Sequence, residues 1–150
     1  MGKYKATWLC LVTVIMVAGS SVPTLAYSTY QIKCDTAWDA SDLADGAIYC
    51  MHAAEEHGAI AESDDSTELM KAAAYALEAY DLMRAATCNL ELSGNPKDVD
   101  MLTQMDSAVK VAKLSLDLGG SSETRLVASK TLSAARGLYR DIRNIQKLHR

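Results

Sequence analysis

The chain has 150 residues, 49 % of them hydrophobic and 23 % charged, with 15 Lys and Arg against 19 Asp and Glu and no Phe. That length makes one domain the default. The acidic balance argues against nucleic acid as a partner, and the sequence carries no phosphate loop, Gly-x-Ser-x-Gly elbow or Cys-x-x-Cys-His haem site.

The first residues read as a targeting segment. Lys3 and Lys5 precede the apolar run "WLCLVTVIMVAG", and "TLA" ending at Ala26 offers a small-residue cleavage site. The run is short for a bilayer span of roughly 20 residues, and Ser20, Ser21 and Pro23 interrupt its end. The expectation is a signal peptide over 1–26, removed on export, a short extension over 27–33, and one helical domain over 34–150. The periplasm is preferred to the extracellular space, because Asn-x-Ser/Thr is absent.

Four helices follow, separated by breakers. Alanine is plentiful and no segment alternates with period two, so sheets are not expected. The first helix is expected over about Thr36 to Ile60, with Ala40, Leu43, Ala47, Cys50 and Ala54 recurring at three and four residues. "ESDDSTE" ends it, and Asp65 with Glu68 resembles a capping box for the second. Leu69, Ala73, Ala76, Tyr80 and Met83 form that helix's stripe, and "SGNPKD" ends it. Asn95 before Pro96 signals a third start. Val99, Leu102, Met105, Val109 and Leu116 line that helix until the glycines of "LGGSSE" close it. The fourth runs from about Ser122. Short connections predict an all-α, antiparallel up-down-up-down four-helix bundle.

Cys34, Cys50 and Cys88 remain once residues 1–26 are gone. If the first two helices form a hairpin, Cys34 and Cys88 lie equidistant from its turn. Cys34 and Cys50 on one continuous helix would stand roughly 24 Å apart, beyond the ~7 Å that a disulfide allows between Cα atoms. The expected clasp is therefore Cys34–Cys88, with Cys50 left as a small buried residue.

Candidate chemistry is sparse. In "CMHAAEEH", His52 and His57 are five residues apart and diverge by about 140° around a helix, unlike the two zinc ligands of His-Glu-x-x-His. No Glu-x-x-His pair occurs, and His52, Glu55, Glu56 and His57 read most simply as solvated polar residues at the end of the first helix. Asp39, Asp42 and Asp45 are spaced by three, unlike an EF-hand loop. No catalytic, metal or cofactor-binding set is assigned. Met51 or Met105 with His149 is the weak basis for a haem-carrying alternative, and these methionines read more simply as core.

Charge is distributed unevenly. Residues 34–100 hold 15 acidic side chains against Lys71, Arg84 and Lys97, whereas 101–150 hold nine basic ones against four acidic. The last segment, "RGLYRDIRNIQKLHR", places Arg136, Arg140, Arg143, Lys147 and Arg150 on one side of a helix at spacings of four, three, four and three. Val127, Ala134, Leu138, Ile142 and Ile145 fall on the opposite side, so the helix is amphipathic. Two structural explanations stand beside a docking role: the helix macrodipole favours cations near its C-terminus, and the acidic first helix is an expected neighbour in a closed bundle. The expected function is an exported, non-catalytic protein-binding module (adaptor, inhibitor or immunity-type) for a protein with an acidic patch. The alternative is a carrier of a small ligand, haem or metal in the bundle core. An anionic membrane surface ranks lower, since the apolar face of this helix is needed for the core.

Overall fold

The computed structural model describes residues 28–148, so the signal-peptide expectation and Arg150 lie outside the described residues. Within them the chain is all-helical, with no strand: α1 (Thr29–Asp39), α2 (Leu43–Glu62), α3 (Glu68–Ser93), α4 (Val99–Leu118) and α5 (Ser122–Leu148). Five helices stand where four were expected, and residues 29–33, read as an extension, form the start of α1.

The additional break lies inside the expected first helix. Ser41 adopts a left-handed φ of 60°, a conformation that costs a non-glycine residue roughly 1 kcal/mol or more. Its neighbours offset that cost. The backbone N–H groups of Ser41 and Asp42 donate to the Trp38 and Ala37 carbonyls at 3.1 and 2.9 Å. The Asp42 side chain then accepts from the Asp45 N–H at 3.1 Å, capping α2. "Ser-Asp" ahead of Leu43 is thus a cap, not helix interior.

This turn overturns the disulfide expectation. Cys34 and Cys50 are equidistant from residue 42, so folding α1 back on α2 brings their Cα atoms to 4.6 Å, and they form the disulfide. The Cys34–Cys88 pairing is corrected on the same hairpin logic, applied to the wrong turn. Cys50 is a bridged residue, and Cys88 keeps a buried thiol. Closing a loop of this size stabilises by about 3 kcal/mol on the chain-entropy account.

The later boundaries lie close to expectation. Thr67, rather than Asp65, caps α3 by accepting from the Met70 N–H at 3.2 Å. Gly94 ends α3 with a left-handed φ of 59°. Pro96 lies in the connecting turn, and Asp98 caps α4 through the Met101 N–H at 2.9 Å.

α3 is the hub. Every residue from Ala79 to Cys88 is buried, as expected of a helix covered on all sides. It packs against α2 on one flank and against α4 and α5 on another, while α1 packs on α2. Small side chains permit this. Ala72, Ala74, Ala79, Ala85 and Ala86 are fully buried along α3 and let neighbouring backbones approach closely. The larger core members are Trp38, Tyr80, Met83, Met101, Met105, Leu138 and Ile142. α5 packs chiefly on α3 and α4 and does not close a ring against the α1–α2 hairpin.

Candidate functional site

Two places collect charged side chains. The first is buried. Asp81 and Arg84, three residues apart on α3, are 0 % and 2 % exposed. The Arg84 guanidinium donates through Nη2 to Asp81 Oδ1 at 2.6 Å and through Nη1 to Asp35 Oδ1 at 2.7 Å. It lies 4.3 Å from the Tyr80 ring centroid, within cation–π range. The other carboxylate oxygen of Asp81 meets His57 Nδ1 at 3.1 Å. Gln31 Nε2 donates to Asp35 at 2.9 Å and to Asp81 at 3.4 Å. Burial opposes the charge on Arg84, but Tyr80, Asp81 and Asp35 outweigh it and hold its pKa above the ordinary value. Burial pushes the Tyr80 phenol up to about 12, with Arg84 drawing it the other way.

This network joins three helices. Asp35 and Gln31 come from α1, His57 from α2, and Asp81 and Arg84 from α3. Cys34 Sγ lies 3.9 Å from Asp81 Oδ1, so the disulfide sits on the network's edge. With His57 only 3 % exposed, the Asp81–His57 pair is closed to an incoming substrate. Its chemistry is to hold α1 on the body. Uncompensated, a buried charge is costly; paired and hydrogen-bonded, that cost is offset.

His57 was expected among solvated residues at a helix end, and the structure corrects this. The overlooked signal is the stripe itself: Cys50, Ala54, His57 and Ala61 recur at four, three and four and are all buried. His52, five residues before His57, is exposed and pairs with Glu55 at 3.0 Å. The two rings therefore have separate partners. Among the described residues no group of three or more His, Cys, Asp or Glu is arranged to hold a metal ion. Met105 packs in the core with Met51 against it; His149 lies outside the described residues. Beside the network, the half-buried Glu78 carboxyl is pushed up to about 7, by desolvation first and then by Glu62 and Asp81, with His57 opposing.

The second place is the outer face of α5. Arg136, Arg140, Arg143 and Lys147 are all exposed, while Val127, Ala134, Leu138 and Ile142 on the other side are buried. A shallow groove of about 350 Å³ opens among these cations, lined by Arg136, Tyr139 and Arg143. The Tyr139 hydroxyl donates to Asp106 Oδ1 on α4. Desolvation, then that hydrogen bond, raises the phenol's pKa, and Tyr139 lines the groove together with the two arginines. Among the described residues no ion pair engages any α5 cation. The expected match between the ridge and the acidic first helix is corrected by packing: the principal neighbours of α5 are α3 and α4. The structure thus brings four of the five predicted ridge residues onto one exposed face. No family model, curated protein or solved structure matches the chain.

Proposed function

We propose that this chain is an exported, non-catalytic protein-binding module of the adaptor, inhibitor or immunity type, and that it docks the acidic surface of another protein through the outer face of α5. The observation that carries the reading is the pairing of exposed cations with a tyrosine-lined groove, on a helix whose opposite face is committed to the core. Exposed cations, which here make no ion pair among the described residues, raise association rates and select for opposite charge, and their effect weakens as salt rises. A lipid surface is a poorer fit, because an interfacial helix must bury its apolar face in the membrane. Export rests on the form of residues 1–26, and the Cys34–Cys50 bridge is compatible with an oxidising compartment.

The test is affinity capture from the envelope fraction of the native host. The natural chain is compared with a variant carrying Ala at 136, 140, 143, 147 and 150. The expected result is a partner retained by the natural chain, lost by the variant, and eluted by moderate salt. Equal recovery by both forms would remove the ridge as the docking face.

A further inference from the structure

The α1–α2 hairpin offers the counterpart of the ridge. The exposed side of α2 carries Asp45, Ile48, His52, Glu55 and Glu62, and Asp39 and Asp42 flank it at the hairpin turn. Ile48, between Asp45 and His52 on that side, is 54 % exposed. Glu55 is engaged by His52, one turn away, in an exposed pair that costs little to rearrange. Because α5 packs on α3 and α4, this acidic face and the basic ridge do not neutralise one another within one chain. The part of the acidic face around Ile48 matches the ridge in length. Asp45 to Glu55 spans ten residues, about 15 Å of helix, and Arg136 to Lys147 spans eleven, about 16 Å.

We propose that the acidic surface received by the α5 ridge is the α2 face of a second copy of this chain. This rests on the reading of the ridge as a protein-docking face and names its partner. Ile48 of one copy enters the groove over Tyr139 of the next, and Asp45 and Glu55 meet the arginines that line it. The two surfaces differ, so the contact is heterologous and runs head to tail. Each dimer keeps one ridge and one acidic face unused, and further copies add to its ends. The net negative charge of the chain opposes this at long range, which keeps the association weak and reversible.

Sedimentation velocity of the signal-free chain over a concentration series, at 0.05 and 0.5 M salt, tests the proposal together with two charge-reversed variants. R140E/R143E loses the ridge but keeps the acidic face; D45K/E55K does the opposite. Circular dichroism verifies that both are helical, as expected for exposed substitutions. The natural chain is expected to form concentration-dependent oligomers at low salt that disperse at high salt. Each variant alone is expected to be monomeric, and an equimolar mixture to restore association, because the acidic face of the first meets the ridge of the second and the two reversed faces are themselves of opposite charge. A natural chain that stays monomeric at low salt would overturn the proposal. So would a mixture without complex, or oligomers that persist in either variant alone. If the natural chain is monomeric while the five-alanine variant still loses an envelope partner, self-docking fails and the docking reading stands. If capture is equal in both forms, that reading fails.

Discussion

Removing the Arg84 guanidinium tests whether the buried network holds α1 to the body. Arg84→Met keeps most of the side chain's volume and deletes both charged hydrogen bonds, at 2.6 Å to Asp81 and 2.7 Å to Asp35. Asp35, with its side chain 42 % exposed, can turn to water; Asp81, at 0 %, cannot. Breaking a buried ion pair from one side costs about 3–5 kcal/mol. His57 and Gln31 still donate to Asp81, which places the expected loss near the lower end, about 3 kcal/mol. Against a typical total of about 5–15 kcal/mol, that is a large fraction. Urea denaturation followed by far-ultraviolet circular dichroism measures it. With a slope of about 1.5–2 kcal/mol/M, the midpoint falls by roughly 1.5–2 M. Adding Asp81→Leu removes the stranded carboxylate and should restore part of the loss, since apolar replacement of a buried pair is often neutral but here leaves His57 without its acceptor. A single-variant cost below about 1 kcal/mol, or a double variant no more stable than the single, would refute the reasoning.

Replacing both bridged cysteines, Cys34→Ala with Cys50→Ala, should cost about 3 kcal/mol. A non-reducing digest should link Cys34 to Cys50 and leave Cys88 alkylated only after unfolding; a Cys34–Cys88 peptide would sink the hairpin. A Cβ at Gly46 would lie 2.9 Å from Cys88 Sγ. Gly46→Ala should therefore destabilise by about 1–3 kcal/mol through overpacking, with recovery when Cys88→Ala is added; simple additivity would contradict the contact. The Glu78 carboxyl is raised from an ordinary 4.5 to about 7, so the fold favours its protonated form. Its contribution is full below pH 4.5 and lost as pH rises through 7. Allowing for solvent screening of a half-buried group, the swing is on the order of 1–2 kcal/mol. Glu78→Gln should flatten the decline in melting temperature between pH 5 and 8, and an unchanged slope would assign the decline to other groups.

The helical class and most boundaries were legible because they depend on local chemistry: the glycines at 94 and 119, the start at Ser122, and the opposed faces of α5. The α1–α2 turn was missed because its apolar spacing runs through it. Ala40 and Leu43 satisfy a helical stripe, and only the capping potential of Asp42 marks the break. That omission carried the disulfide with it, since the pairing depends on which turn is the midpoint. The buried network was illegible for a different reason. His57, Asp81 and Arg84 look solvated one at a time, and only their positions on small-residue stripes, across three helices, make them interior. Periodicity reports which face a residue occupies; apart from the Asp81–Arg84 pair within α3, the partners that offset burial of these charges lie 24 to 50 residues away in the chain.

The charges of the two halves are handled differently, and this makes the α5 face testable without unfolding the protein. In α1–α3 the His57–Asp81–Arg84 network is buried and paired, so its removal should destabilise the fold. On α5 the cations are exposed and the core contacts are made by Val127, Leu138 and Ile142 on the other side. Alanine at 136, 140, 143 and 147 removes a favourable macrodipole contact at Lys147, worth about 0.3–1 kcal/mol, and adds slightly better helix formers. Arg136 and Arg143 line a groove with Tyr139, and the apolar surface that their aliphatic stems cover there is the remaining loss. These terms nearly cancel, and the four-alanine variant should unfold within about 1 kcal/mol of the natural chain in urea. A loss above about 2 kcal/mol would show that the arginine stems roof the groove as part of the fold, and the ridge would then be structure before it is a docking face.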